Sequence, residues 1–233
     1  MNVILCGALG KMGAEMTSLL SSGFEGTRLC AAVDPRADER DGGVFFSLDD
    51  VCVDADVMID FSHHGAATKI CEFAIKNGVP AVIATTGHTP SEIEQIKRAA
   101  ERVPVFYCAN MAAGTALLCD FSARAASFFP QADIEITEIH RRGKLDAPSG
   151  TALMLKDEIR RENGARAVGI HSLRLGNTVG THSVIICAEG ETLTITHSVN
   201  ERAVFARGAI KAAKFLMGKK AGLYDMRSLI EGR

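Results

Sequence analysis

The stretch MNVILCGALGKMGAEMTSLLSSG, residues 1–23, runs from an apolar strand through three glycines into a helix. Val3-Ile4-Leu5-Cys6 is the short apolar run of a buried strand, and from Met12 to Leu20 the apolar residues recur at helical spacing. Between them Gly7, Gly10 and Gly13 are spaced G-x-x-G-x-x-G, a variant of the dinucleotide fingerprint. In such a turn the missing side chains let N–H groups at a helix N-terminus, here around Lys11 and Met12, approach a pyrophosphate. The same spacing also serves a tight strand-to-helix turn with no ligand, so the neighbouring pattern has to decide.

That pattern completes a βαβ unit. A second apolar strand, Leu29 to Val33, ends at Asp34, twenty-one residues after Gly13, where a carboxylate is placed to meet an adenosine ribose. Asp34 would accept from a 2′-hydroxyl and repel a 2′-phosphate, whereas Arg36 and Lys11 would offset that phosphate's charge, so NADH and NADPH both stay open. Further on, VMIDFS, AVIATTG and VPVFYCAN each pass from apolar strand into small or polar residues, with helices near Ala66 to Asn77 and Pro90 to Ala100 between them. Thr89, Pro90 and Glu92 supply the second of these helices with a cap, a first-turn proline and a reciprocal glutamate. Strands alternating with helices imply a parallel sheet of the Rossmann type. Ligands of such sheets lie at the carboxyl ends of the strands, which nominates Phe61, Ser62, Thr85, Thr86, Gly87, Ala109, Asn110 and Met111 as cofactor-lining.

Composition excludes several partners. The chain has 233 residues, 47% hydrophobic and 23% charged, with a net charge of -2 and a pI near 6.4. It therefore carries no global basic field for nucleic acid or an anionic membrane. The N-terminus shows no charged leader and breaks at Gly7, so it reads as the first strand of a cytoplasmic protein. Seven cysteines, at 6, 30, 52, 71, 108, 119 and 187, never form a Cys-x-x-Cys pair, which implies reduced thiols and no metal site.

The middle of the chain changes character. A helix from about Gly114 to Phe128 stops before Pro130, and ADIEITEIH then alternates as a strand that delivers His140 to its end. IHSLRL, HSVIICA and TLTITHSV follow as β segments joined by GNTVGT and a tight EGE turn. With no helix between those three, a second α+β domain on a mixed, largely antiparallel sheet is expected. RAVFARGAIKAAKFLMG, from Arg202, is helical again and stops at Gly218. The expected change from the nucleotide-binding fold to this second domain falls after residue 111.

EIHRRGKLDAPSGTA, residues 138–152, concentrates the candidate chemistry. Ser149-Gly150-Thr151 leads directly into a helix whose first N–H groups have no intrahelical partner. With Lys144 nearby, that end suits a small carboxylate. His140 is the candidate proton donor, because imidazole titrates near neutrality. The remaining six histidines, His171, His182 and His197 among them, show no ligand-like clustering, and Asp146 either orients Lys144 or starts the turn before Pro148, the turn being favoured.

Taken together, GALGKMG, IDFS, TTG, EIHRRGKLDAPSGTA, the G-x-x-x-G-T-H of Gly176 to His182, and GLYDM resemble the 4-hydroxy-tetrahydrodipicolinate (dihydrodipicolinate) reductase family along the whole chain. The resemblance implies NAD(P)H-dependent reduction of dihydrodipicolinate to tetrahydrodipicolinate in the diaminopimelate route to lysine. It implies His140 as catalytic acid and Lys144 as substrate-binding cation and proton donor. Ser149, Gly150 and Thr151 would cradle a carboxylate, with Arg141 and Thr86 also at the substrate. It further implies a homotetramer built on the sheet of the second domain and a C-terminal segment that returns to the first, so that the division is a dinucleotide-binding domain, 1–111, completed by 209–233, and a substrate-binding and oligomerisation domain, 112–208. Many members carry a second histidine where this chain has Arg141, and the segment between Asp34 and Val57 is short for the family. Two other readings use the same features: an amino-acid dehydrogenase of the aspartate dehydrogenase type, and a non-catalytic nucleotide-sensing protein.

Overall fold

The computed structural model describes residues 1–38, 42–162, 164 and 167–232. In chain order its elements are β1 (Asn2–Cys6), α1 (Lys11–Ser21), β2 (Arg28–Val33), β3 (Val44–Phe45), β4 (Val57–Asp60), α2 (Ala67–Asn77), β5 (Ala81–Ile83), α3 (Pro90–Ala100) and β6 (Pro104–Tyr107). There follow α4 (Ala113–Phe128), β7 (Asp133–His140), α5 (Gly150–Glu162), β8 (Val168–Arg174), β9 (Gly180–Ala188), β10 (Glu191–Val199), α6 (Ala203–Leu216), β11 (Gly222–Tyr224) and α7 (Met226–Glu231). The chain divides into two compact units, Met1–Met111 with Ala203–Arg233, and Ala112–Arg202.

The first unit is a parallel sheet in the order β11-β6-β5-β4-β1-β2-β3. Successive strands run outward from β1 in one direction, and β4 restarts on its other side, so the topological switch falls between β1 and β4. The strands are buried on both faces and carry near-continuous apolar runs, as parallel strands must when helices cover both sides. On one face Ile4, Met58, Ile83 and Val105 pack with Ile70 and Ala74 of α2 and Ile96 and Ala99 of α3. Also packed in this unit are α1 and α6, and α6 lies on β4, β5 and β6. Each fully buried Ile or Leu side chain contributes about 1.5–3 kcal/mol relative to exposure. The start of α3 has the expected form: Thr89 Oγ1 accepts from Glu92 N at 3.3 Å, and Thr89 N donates to Glu92 Oε2 at 2.6 Å.

The second unit is a four-stranded sheet in the order β10-β9-β7-β8. The strand β7 is antiparallel to β9 and parallel to β8, and β9 is antiparallel to β10, which makes the sheet mixed and largely antiparallel as expected. The β9–β10 hairpin turns on two residues, Glu189 and Gly190, at φ +51° and +89°. Positive φ at both central positions matches the twist of the flanking strands. Leu118 and Ala126 of α4 and Ala152, Leu155 and Ile159 of α5 cover one sheet face, against Ile134, Ile136, Val184 and Ile186.

Candidate active site

In the first unit the glycine turn is built by close approach. Gly7 stands at φ +80°, and a Cβ there would lie 2.6 Å from the Phe61 backbone and 2.7 Å from Ser62 Cα, so β1 and β4 can end side by side only around a glycine. A Cβ on Gly13 would lie 2.2 Å from the Gly7 carbonyl oxygen, which seats α1 directly on the turn. Gly10 is the N-cap of α1 and caps nothing with a side chain, leaving the first-turn N–H groups at Lys11, Met12 and Gly13 for an outside acceptor.

Asp34, at the end of β2, is buried, and its carboxylate is already engaged. Oδ2 accepts from Leu9 N at 3.0 Å and from Arg36 Nη2 at 2.8 Å; Oδ1 accepts from Arg36 N at 3.0 Å and Nε at 2.9 Å. The Arg36 hydrogen bonds hold its pKa below the usual carboxylate range against the opposing effect of burial.

Thr85 is buried at the end of β5, while Thr86 and Gly87 beyond it are exposed. Phe61 and Ser62 are half-buried after β4, and after β6 Ala109 is exposed and Asn110 half-buried. Met111 is buried, its carbonyl so close to Gly208 of α6 that a Cβ there would meet it at 1.7 Å. Its side chain is therefore a packing element of this unit. The sequence reading assigned no role to Asp60, yet this buried carboxylate ties two of these strand ends together. It accepts from Ser62 N at 2.9 Å and from Thr85 Oγ1 at 2.7 Å. Burial pushes its pKa up, partly countered by the Ser62 and Thr85 donors.

In the second unit β7 brings His140 to its end on the covered face, with Glu138 two residues before it. Glu138 Oε2 is hydrogen-bonded to His140 Nδ1, and Oε1 accepts from Arg174 Nη2 at 2.9 Å. Arg174 stands directly opposite His140 on β8. His182, on β9, turns its ring edge toward His140 with centroids 5.2 Å apart, and its Nε2 lies 3.1 Å from Ser149 Oγ. That hydroxyl also accepts from Ala152 N at 3.2 Å, capping α5. A Cβ added to Gly150 would meet nothing within 4 Å, so the space above this helix start is open to a ligand. Thr151 opens the helix, half-buried. Lys144 is largely shielded and pairs with Asp146 at 2.8 Å, while Arg141 stands exposed beyond the strand, near Gly143.

One expectation is corrected here, and for Asp146 both alternatives hold. His182 does cluster, with His140 and Glu138, because strand pairing joins positions remote in sequence. Asp146 is the ion-pair partner of Lys144 as well as part of the loop before Pro148; the lysine hydrogen bond lowers its pKa.

Glu138, His140 and His182 place ligand-type atoms within 4.8 Å of one another, a grouping that the expectation of no metal site did not foresee. Those atoms are committed to each other, to Ser149 and to Arg174, and two cations stand beside them. The arrangement thus reads as a proton-handling network. Burial lowers the His140 pKa, Glu138 opposes that shift, and Lys144 and Arg174 reinforce it. Burial takes His182 down to about 4, so it is neutral near pH 7. Burial alone would raise Glu138, but donors from Ser172, Arg174 and His140 outweigh it and leave the group ionised.

The family models for dihydrodipicolinate reductase, N-terminus, and dihydrodipicolinate reductase, C-terminus, match residues 1–111 and 114–230. The chain belongs to the dihydrodipicolinate reductase family. Among relatives, a 4-hydroxy-tetrahydrodipicolinate reductase of Caldanaerobacter subterraneus subsp. tengcongensis is 39% identical, with 98% of each chain covered. One of Anaeromyxobacter sp. is 37% identical over 98% of this chain and 97% of its own. A dipicolinate-bound dihydrodipicolinate reductase from Paenisporosarcina sp. TG-14 shares the fold at a TM-score of 0.83 and 24% identity, covering 97% of both chains. Aspartate dehydrogenase from Thermotoga maritima, the kind of enzyme named as an alternative, superposes at 0.56 with 17% identity over 94% of this chain and 98% of its own, a likeness of fold alone.

Reductases of the dihydrodipicolinate reductase family use NADH or NADPH, and the N-terminal part of the chain is the dinucleotide-binding domain. The first unit fits that group: the turn is stripped of side chains where Gly7 and Gly13 allow no Cβ, and α1 presents uncapped N–H groups. Sequence reasoning missed Asp60, Glu138, Arg174 and His182. For Glu138 and His182 the usable signal was strand parity, since both fall on the same sheet face as His140. For Arg174 there was no local signal.

Proposed function

We propose that this chain is a 4-hydroxy-tetrahydrodipicolinate reductase, forming tetrahydrodipicolinate with NADH or NADPH in the diaminopimelate route to lysine. The family match over both halves supports the activity. The observation that carries the site is the convergence of His140, Lys144 and the open N-terminus of α5 within one unit. A small cyclic dicarboxylate suits that set. The helix N–H groups and the Ser149 and Thr151 hydroxyls meet one carboxylate, with the Lys144 ammonium adding charge and Arg141 as a further contact.

The bound nicotinamide supplies a hydride. The chain's own residues must hold the ring and furnish one proton. Loss of the 4-hydroxyl as water leaves a conjugated imine, and once a hydride has added, the enamine-like product takes up that proton. His140 supplies it from Nε2, and Lys144 fixes the carboxylate so that the ring stays in one orientation. The cofactor-binding set is the glycine turn with Lys11 and Met12, together with Asp34, Arg36 and the strand-end residues Phe61, Ser62, Thr85–Gly87 and Ala109–Met111. For Met111 the backbone is the contributing part.

We further propose a homotetramer assembled on the sheet face of the second unit that α4 and α5 leave uncovered, and a cytoplasmic location, where the free thiols of all seven cysteines persist. No described helix is long and apolar enough to cross a membrane.

The test is a coupled assay in which the synthase makes the unstable substrate in situ from pyruvate and aspartate semialdehyde. Consumption of NADH and NADPH by wild type is expected, with kcat reduced about a hundredfold in His140→Ala. For Lys144→Ala a substantially raised KM is expected. Folded wild type that oxidises neither cofactor would overturn the reading, and turnover of L-aspartate with NAD⁺ would favour the dehydrogenase alternative.

A further inference from the structure

We propose that Glu138 is the positioning residue of the proton donor: its buried carboxylate holds Nδ1 of His140, so that the ring presents Nε2 to the substrate and can carry the proton it gives. This rests on the reductase reading above.

Glu138 has no exposed surface, and it lies on the covered face of β7 in line with Ile134 and Ile136. A carboxylate in that position is costly unless its oxygens are filled, and here both are. Arg174 fixes it from β8. The same guanidinium donates to the Asp146 carbonyl from Nη2 and to the Leu173 carbonyl from Nη1, each at 2.7 Å, so the anchor of Glu138 is itself held at three points. The other ring nitrogen, Nε2, faces Gly180 of β9. Nε2 of His140 lies where a Cβ on Gly180 would come within 3.0 Å, and the glycine on β9 keeps that side clear.

The charges facing the ring make the role specific. Arg174 from β8 and Lys144 from the loop after β7 both oppose protonation of His140, and His182 from β9 is neutral and offers no compensation. Asp146, in the loop after β7, is a second anion that interacts with the ring but is paired with Lys144, whereas Glu138 is the anion in hydrogen-bond contact with it. Without Glu138, burial and the two cations would act on the ring unopposed by that carboxylate, and its pKa would lie lower still. Glu138 offsets part of that lowering, so the imidazolium is less costly to form; once it gives up the Nε2 proton, the neutral ring keeps Nδ1–H toward Glu138.

Two measurements test this. The first follows the His140 ring nitrogens of wild type by ¹⁵N NMR through a pH titration, with no substrate present. The expected neutral tautomer carries its proton on Nδ1, and Glu138→Gln is expected to lower the titration midpoint. The second records kcat against pH. A general acid must be protonated, so kcat falls as pH rises through the His140 pKa. In Glu138→Gln that fall should begin at lower pH, with kcat reduced at least tenfold, KM little changed, and NADH binding by fluorescence as in wild type.

A wild-type ring protonated on Nε2 in its neutral form would overturn the proposal, as would an unshifted alkaline limb in Glu138→Gln. If that variant fails to fold, the wild-type tautomer still decides. If wild type turns over no substrate, the reductase reading fails while the tautomer measurement still judges Glu138.

Discussion

His182 is buried, 5% exposed, with Nε2 against the Ser149 hydroxyl. Its folded pKa of about 4 lies below the ordinary 6.5, with burial as the main cause. Between those values the unfolded chain binds a proton that the folded chain refuses, so stability falls as pH drops from about 6.5 toward 4. The full difference is about 3 kcal/mol, and urea midpoints across that range should fall more steeply in wild type than in His182→Gln. Asp34 presents a different constraint. Four donors already meet its oxygens, so a ribose hydroxyl can be received only if the Arg36 fork lets go. Arg36→Ala should therefore lower KM for NADH and raise KM for NADPH, shifting their ratio at least fivefold in steady-state kinetics. Asp34 was legible from its distance to the glycine turn, whereas its occupation by Arg36 was not. Glu138 was hidden for another reason: Ile134 and Ile136 mark the inward face of β7, but Ile139 then breaks the alternation. An acid and a histidine thus occupy the inward positions where a hydrophobic pattern would look for apolar residues.

Among the elements, the unit formed by β1, its turn and α1 is the most constrained. Gly13 is in an ordinary helical position, but its missing Cβ lets the helix rest on the Gly7 and Ala8 carbonyl oxygens, at 2.2 and 2.4 Å from where that atom would be. Backbone on both sides cannot yield as a flexible side chain would. Gly13→Ala should therefore destabilise the protein by roughly 1–3 kcal/mol or more and weaken NADH binding at least tenfold, because the first-turn N–H groups move with the helix. Chemical denaturation and fluorescence titration would show both losses together; a stability loss with unchanged NADH affinity would mean that the turn serves packing alone. This unit could be read from sequence because its signals are local: an apolar run, three glycines and a helical period within twenty-three residues. The second unit could be read only to the level of a mixed sheet. The parallel pairing of β7 with β8 and the placing of β7 between β8 and β9 are non-local choices, and they are what bring Arg174 and His182 to His140.

At the scale of the whole molecule, the sheet of the second unit has one face still to be accounted for. Parity sets Thr181, Ser183, Ile185 and Cys187 of β9 and Thr192, Thr194, Thr196 and Ser198 of β10 on the face opposite to the covered one. Ser183 and Thr196 share a hydrogen bond at 2.9 Å across the strands, and Thr181 donates to Ser198 at 3.0 Å, so these hydroxyls are partly satisfied within the sheet. The charges on this face, Asp133 and Glu135 of β7 and His171 of β8, lie toward its other side, so the uncharged β9–β10 part matches the depletion of charge at interface centres and suits pairing with a second copy in the proposed homotetramer. The covered face carries the His140 cluster, so an interface on the opposite face can be disrupted without touching those side chains. A carboxylate at Ile185 would stand opposite Glu135 of β7 and would be buried without a cation if two such faces met, at a cost of several kcal/mol at each copy. Ile185→Glu should accordingly shift the mass seen by light scattering from four chains to a smaller species at micromolar concentration. The far-ultraviolet dichroism should stay native, because Ile185 is only half-buried within a single chain. A variant that keeps the wild-type mass would place the tetramer contact elsewhere, whereas a wild type with the mass of one chain would remove the proposed assembly altogether.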